Sequence, residues 1–193
     1  MTDPVLHVLA GPNGAGKTTF YQRVLAPVTH LRFVNADLIA AEVWPGDPVA
    51  HAYDAAQRAA AERVKLIGER VSFVTETVFS HPSKLNLLTS ARDAGYQVTL
   101  HVVAIPVELA VARVTERVRH GSHDVPEQKI RDRYERLWTH VAAAIAMVGE
   151  AAVYDNSRAA RPYRLLARHL NGRLLADPDW PAWTPLPLRT AGC

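Results

Sequence analysis

At 193 residues the chain is one domain's worth of polypeptide, long enough to bury a full core. Its one cysteine, Cys193, excludes a disulfide framework and a cysteine-built metal site, a usage that suits a reducing cytoplasm. A net charge of +3 is weak ground for a nucleic-acid partner, the first apolar run begins too early to leave room for a signal peptide, and no run approaches a membrane span.

In chain order, Val5 to Ala10 reads as a buried strand, and Thr18 to Leu25 as the first turns of a helix. Pro27 and His30 mark a turn, Leu31 to Asn35 is a short second strand, and Asp37 stands just past its end. A short helix through Ala40 to Trp44 is closed by Pro45-Gly46. Asp47-Pro48 then starts a helix to about Glu69, with Val49, Ala52, Tyr53, Ala56, Ala60, Val64 and Ile67 along one face. Strand three is Val71 to Thr75, ended by Glu76, and Ser80 with Pro82 opens a helix that Gly95 stops. Tyr96 to Ile105 is a long β-branched strand. Pro106 begins a helix to about His120, Gly121 to Val125 is a loop, and Pro126 opens a long helix ending near Gly149. Ala151 to Asp155 is strand five. Arg161-Pro162 starts a last helix, Asn171-Gly172 turns it, and Arg173 to Ala176 is a final strand. Residues 1–176 form a single domain, and the tail from Asp177, with four prolines, packs as an irregular strap through Trp180 and Trp183.

Alternating strands and helices mean an α/β fold: a mostly parallel sheet of five or six strands between two helical layers. Ligands in such sheets bind beyond the carboxyl ends of the strands. One stretch stands there with a specific chemistry. Gly11-Pro-Asn-Gly-Ala-Gly-Lys-Thr18 satisfies G-x-x-x-x-G-K-[ST] at every fixed position and lies between a strand and a helix, as a phosphate-binding P-loop must. Gly11, Gly14 and Gly16 let the backbone approach a ligand closely, and the amides around Asn13 and Ala15 turn inward at the positive end of a helix. Lys17 brings a point charge to the outer phosphates, Thr18 a hydroxyl to magnesium, and Thr19 a contact to an inner phosphate. A nucleoside triphosphate, ATP with Mg2+, is the ligand this predicts.

Two acids share that end of the sheet. Asp37, after strand two, can accept the proton of an attacking hydroxyl and hold it in line; the plain alternative is a helix N-cap, which does not exclude that role. Glu76 can hold water on magnesium or bind a substrate hydroxyl, with Thr77 and Ser80 near enough to join it; the plain alternative is a surface acid at a strand exit. Lys84 reads as solvated, with an anionic substrate within its reach. Arg58 and Arg63, on the helix over 48–70, can face an anionic acceptor.

Between Arg113 and Arg136 six arginines and one lysine stand against five acids, in two helices flanking a polar loop. This reads as a helical lid, with Arg117, Arg119 and Arg133 as candidates to stabilise the equatorial charge of a transferring phosphoryl group. Pairing with Glu116, Glu127, Asp132 and Glu135 on helix surfaces would account for the same composition. His123 in the loop is ambiguous, and the nine histidines show no metal-ligand spacing. Arg158, Arg161, Arg164 and Arg168 recur at helical spacing, which predicts a basic stripe that is usually a solvated face.

Taken in order, the P-loop, Val34-Asn-Ala-Asp37, Val74-Thr-Glu-Thr77 with Ser80 and Pro82, Arg113-Val-x-x-Arg117-Val, His123-Asp-Val-Pro-Glu127 leading to Arg133-Tyr134, and Tyr154-Asp-Asn-Ser157 resemble the zeta-toxin family of P-loop kinases. The resemblance covers about residues 5–157 and implies ATP- and magnesium-dependent phosphorylation of UDP-N-acetylglucosamine on a sugar hydroxyl. It implies Lys17 and Thr18 for phosphate and magnesium, Asp37 as catalytic base, Glu76 as a substrate-binding acid and Arg117 as a lid arginine. The toxins' second lid arginine falls on Ser122-His123-Asp124 here, so Arg131 or Arg133 would substitute. The shorter chain looks like a compact chromosomal branch, and no antitoxin can be inferred from one chain. Two other readings stand beside this one: a kinase for another acceptor, such as an antibiotic, a sugar acid or a nucleic-acid 5′ end, and a P-loop ATPase or nucleotide-gated binding module. No Leu-Ser-Gly-Gly signature accompanies the last.

Overall fold

A computed structural model describes residues 3–119 and 126–192. Seven strands, β1 (Val5–Ala10), β2 (Arg32–Val34), β3 (Phe73–Thr77), β4 (Gln97–Ala104), β5 (Glu150–Asp155), β6 (Arg164–Leu170) and β7 (Arg173–Leu174), form one sheet in the order β2-β3-β1-β4-β5-β6-β7. The first five strands are parallel and the β5–β6 and β6–β7 pairings are antiparallel, so the described sheet has one strand more than the upper figure expected. β1 lies between β3 and β4 and is buried along its last three residues, so the loop that leaves it starts at the middle of the sheet.

The helix after the P-loop begins as α1 (Lys17–Phe20), passes through a π-helical stretch (Tyr21–Leu25) and ends as α2 (Ala26–Thr29). Phe20 packs against His101 of β4 and Tyr154 of β5 on one side of the sheet. α5 (Ser83–Asp93) and α7 (Glu127–Met147) pack on β4, and α7 also meets α6 (Val107–Arg119) and the tail helix α8 (Leu186–Arg189). α7 buries Ile130, Tyr134, Leu137, Trp138, Val141, Ala144 and Ile145, a spacing of three and four residues that places one helical stripe on the core. The tail packs through Trp180 and Trp183, as expected, and α8 adds a buried Leu188.

Several expectations fail. The helix read after Arg161-Pro162 is β6, which pairs with the edge of β5; Asn171 and Gly172, both with positive φ, turn it into β7. Arg158, Arg161, Arg164 and Arg168 therefore form no helical stripe, and Arg164 ion-pairs with Asp155 and Asp179 instead. α4 (Ala52–Gly68) starts later than Asp47-Pro48 and buries Ala55, Ala59 and Leu66, while Tyr53 and Val64 are 73% and 72% exposed. The inner face is thus marked by two alanines and one leucine, offset from the face expected. α3 (Ala36–Val43) begins four residues before the expected Ala40, and β3 runs to Thr77, which takes Glu76 inside the strand.

Candidate active site

The P-loop joins the carboxyl end of β1 to α1. Gly16 is the residue before the helix and is left-handed, at φ 89° and ψ 28°. A Cβ at Gly11 would lie 2.2 Å from the Val103 carbonyl oxygen, so close backbone approach requires glycine there; at Gly16 the left-handed backbone favours glycine, and a Cβ would also crowd the Asn156 side-chain amide at 2.7 Å. The loop is further held through its carbonyls. Arg113 Nη1 donates to Gly14 O at 3.1 Å, Asn156 Nδ2 to Ala15 O at 2.8 Å, and Tyr163 Oη to Gly16 O at 3.0 Å.

Lys17 is 4% exposed, and its ammonium donates to Gly11 O and Pro12 O, both at 3.0 Å, and faces Glu76 Oε1 at 3.5 Å. Burial pushes it below the ordinary lysine range; the charges of Glu76 and Asp37 act in the opposite sense, and that of Arg117 adds to the depression. Glu76 thus faces the phosphate side. Its Oε2 accepts from Thr18 Oγ1 at 2.9 Å and from Asn35 Nδ2 at 2.8 Å. β3 places it there, since Leu9 and Ala10, just before the loop, pair in register with Glu76 and Thr77.

Asp37 lies in the first turn of α3 and is exposed. The cap of that helix is Asn35, buried at 4%, whose Oδ1 accepts from Leu38 N at 3.1 Å. The capping role that Asp37 might have filled is taken, and its carboxylate is left at the carboxyl end of β2. Arg117 is exposed on α6, near enough for its charge to act on Lys17. Arg133 on α7 lines a small recess with Pro12 and Asn13 of the loop. Arg131 is engaged elsewhere: it makes paired hydrogen bonds to Glu108, at 2.8 and 2.7 Å, and one to Glu127. Arg133, and not Arg131, is therefore the α7 arginine at the loop. Arg119 closes α6 but its side chain, with His123 and the rest of 120–125, lies outside the described residues.

Thr19 lies beside the Tyr163 hydroxyl, near enough to offset part of the rise that burial gives that hydroxyl. Arg58 lies over the Trp44 ring at 4.7 Å, with His51 stacked on the same indole, so it is tied to α3. Arg63 and Lys84 are half-buried, and each is lowered from its ordinary range, first by burial; Arg63's charge lowers Lys84 further. Ser80 lies in the turn after β3, its amide bonded to Val78 O at 2.7 Å.

Asn35, Asn156 and Tyr163 escaped assignment from sequence. Asn35 carried a signal, an amide three residues before the amide it caps. Tyr163 carried none, because its partner Gly16 is 147 residues away.

The site fits a triphosphate with magnesium. The glycines let the loop lie against the protein more closely than a Cβ would permit, a buried ammonium closes it, and a hydroxyl and a carboxylate meet at Thr18 and Glu76. Among the described residues no group of three His, Cys, Asp or Glu side chains is placed to hold a metal by itself. No described helix is long and apolar enough to cross a membrane.

The family model described as an AAA domain matches residues 6–139. An uncharacterized protein of Haemophilus influenzae is 30% identical over 128 residues, spanning 64% of this chain and 88% of that one. Among solved structures, one from the PezAT chromosomal toxin-antitoxin system of Streptococcus pneumoniae superposes with a TM-score of 0.64 at 18% identity, over 86% of this chain and 72% of the other. The AvrRxo1-ORF1:AvrRxo1-ORF2 structure with ATP superposes with a TM-score of 0.68 at 15% identity, over 95% of this chain and 67% of the other. The chain belongs to the AAA-domain family, and its fold is that of the zeta-toxin-like P-loop kinases.

Proposed function

We propose that this protein is an ATP- and magnesium-dependent kinase that transfers the γ-phosphate to a hydroxyl of a nucleotide sugar of the UDP-N-acetylglucosamine type. The observation that carries this reading is the exposed, non-capping carboxylate of Asp37 at the end of β2, close enough for its charge to act on the buried P-loop lysine. In this reading the loop amides and Lys17 hold the β- and γ-phosphates. Asp37 takes the proton of the acceptor hydroxyl as its oxygen bonds to the γ-phosphorus and the bond to the bridging oxygen breaks, releasing ADP. Arg117 and Arg133 meet the charge on the equatorial oxygens. Thr18 and Glu76 would hold magnesium, which when bound neutralises charge on the phosphate oxygens.

An anionic acceptor is supported by Arg63 and Lys84, two half-buried cations within electrostatic reach of each other. The nucleic-acid alternative loses its main support with the arginine stripe, since those residues lie on a loop and a strand. The test is a mass-spectrometric acceptor screen with ATP and magnesium against nucleotide sugars, free sugars, sugar acids, aminoglycosides and 5′-hydroxyl oligonucleotides. Phosphorylated UDP-N-acetylglucosamine supports the full reading. Modification of another compound keeps the kinase and replaces the acceptor. ATP consumption that no acceptor changes favours a non-kinase ATPase.

A further inference from the structure

The family model ends at residue 139, yet two of the three side chains that grip the P-loop lie beyond it. Three consecutive carbonyls, those of Gly14, Ala15 and Gly16, are each tied by one side chain, from α6, from the end of β5 and from the turn into β6 respectively. A peptide's carbonyl and amide point in opposite directions, so holding these carbonyls on the protein side aims the amides of Gly16 and Lys17 toward the cradle, while the Ala15 amide donates to Pro12 O at 3.2 Å and closes the loop's own turn.

The grip is built as a unit. Arg113 spans both halves of it, donating to Gly14 O and, through Nη2, to Asn156 O at 3.1 Å. The Asn156 amide nitrogen is itself bonded to Ala104 O of β4 at 3.0 Å, which anchors that residue to the sheet. Tyr163 has a left-handed backbone, φ 55°, a conformation that L side chains rarely adopt. Its ring packs edge-on against Phe20 of α1 at 5.1 Å, and its hydroxyl donates to Gly16 O. The strained residue is thus the one whose side chain reaches the loop.

We propose that Asn156 and Tyr163 are positioning residues of the nucleotide site, and that the β5–β6 segment is an integral part of the phosphate cradle. The inference rests on the P-loop binding a nucleotide, not on any acceptor or on catalysis by Asp37. Without the Tyr163 hydroxyl the Gly16 carbonyl keeps only its helical bond from Phe20 N, at 2.9 Å, and without the Asn156 amide the Ala15 carbonyl loses its side-chain anchor, so the loop samples more arrangements in which its amides do not meet a phosphate. Binding then bears an ordering cost that the native protein has already met.

The test is calorimetric titration of the full chain with ADP, with inorganic pyrophosphate and with adenosine, alongside thermal unfolding. Tyr163→Phe removes one oxygen and keeps the ring against Phe20, so folding is preserved; Asn156→Ala is the second variant. Each is expected to weaken ADP and pyrophosphate by about three- to tenfold, the size of one ordinary hydrogen bond, and to leave adenosine unchanged. Loss confined to phosphate-bearing ligands is something a purely structural role would not produce. Unchanged ADP and pyrophosphate affinities in Tyr163→Phe overturn the proposal, as does an equal loss for adenosine. Wild-type protein that binds neither ADP nor pyrophosphate refutes the underlying nucleotide reading instead, so the two failures are distinct.

Discussion

Asn35 links the stability of the fold to the alignment of the proposed base, and its removal is the sharpest test of how the site is assembled. The residue is 4% exposed, caps α3 through Leu38 N and donates to Glu76. Replacing a good cap with alanine costs about 1 kcal/mol. Losing a hydrogen bond to a charged carboxylate costs about 1.5 kcal/mol more. For a domain of this size each kcal/mol is about 2–4 °C, so Asn35→Ala is expected to lower Tm by roughly 5–10 °C. Asn35→Ser keeps a capping oxygen but cannot reach Glu76 as the amide does, so it is expected to recover the capping share, about 1 kcal/mol. Thermal and urea unfolding of the three proteins measure both differences. In the kinase assay Asn35→Ala is expected to lower kcat, because Asp37 rides on the first turn that the cap secures, while ADP affinity holds. A Tm within 2 °C of wild type would show that the cap and the amide bond contribute little. An Asn35→Ser protein no more stable than Asn35→Ala would remove the capping argument.

Other outcomes follow from the same geometry. Asp37→Asn is expected to reduce transfer by about 100-fold or more with ATP binding retained, and near-normal turnover would remove Asp37 as the base. Arg117→Ala is expected to lower kcat much more than ATP affinity; equal losses would make it a ground-state contact. His101, 7% exposed and hydrogen-bonded to His7 at 3.1 Å, is pushed down to about 3 by burial and by the neighbouring His7. The unfolded chain therefore binds a proton at His101 that the folded chain does not, and stability rises with pH between those limits. It is expected to fall as pH drops below about 6.5, by about 1.4 kcal/mol per pH unit from this residue, with His7 and His169 acting in the same sense. His101→Gln, followed by urea unfolding at pH 7 and pH 5, is expected to show a shallower loss; an unchanged slope would mean that His101 is not neutral in the native state.

Wherever a feature is encoded within a few neighbouring residues, the order of residues alone determined it. The P-loop needs glycines, a lysine and a threonine at set offsets between a strand and a helix, and all of these lie within residues 5–25. The parallel sheet followed from strand-helix alternation, and the placing of Asp37 and Glu76 at one end followed from the direction of parallel strands. Tertiary structure decided what depends on distant partners. Residues 164–170 carry leucine, alanine and arginine, good helix formers, but the open edge of β5 offered a ladder of backbone hydrogen bonds and the segment became β6. Which acid pairs with Lys17 was equally non-local: Asn35 and Glu76 are 41 residues apart, and their hydrogen bond fixes Glu76 toward the cradle. The grip of Arg113, Asn156 and Tyr163 on three successive carbonyls spans 99, 141 and 147 residues, distances over which no local pattern carries information.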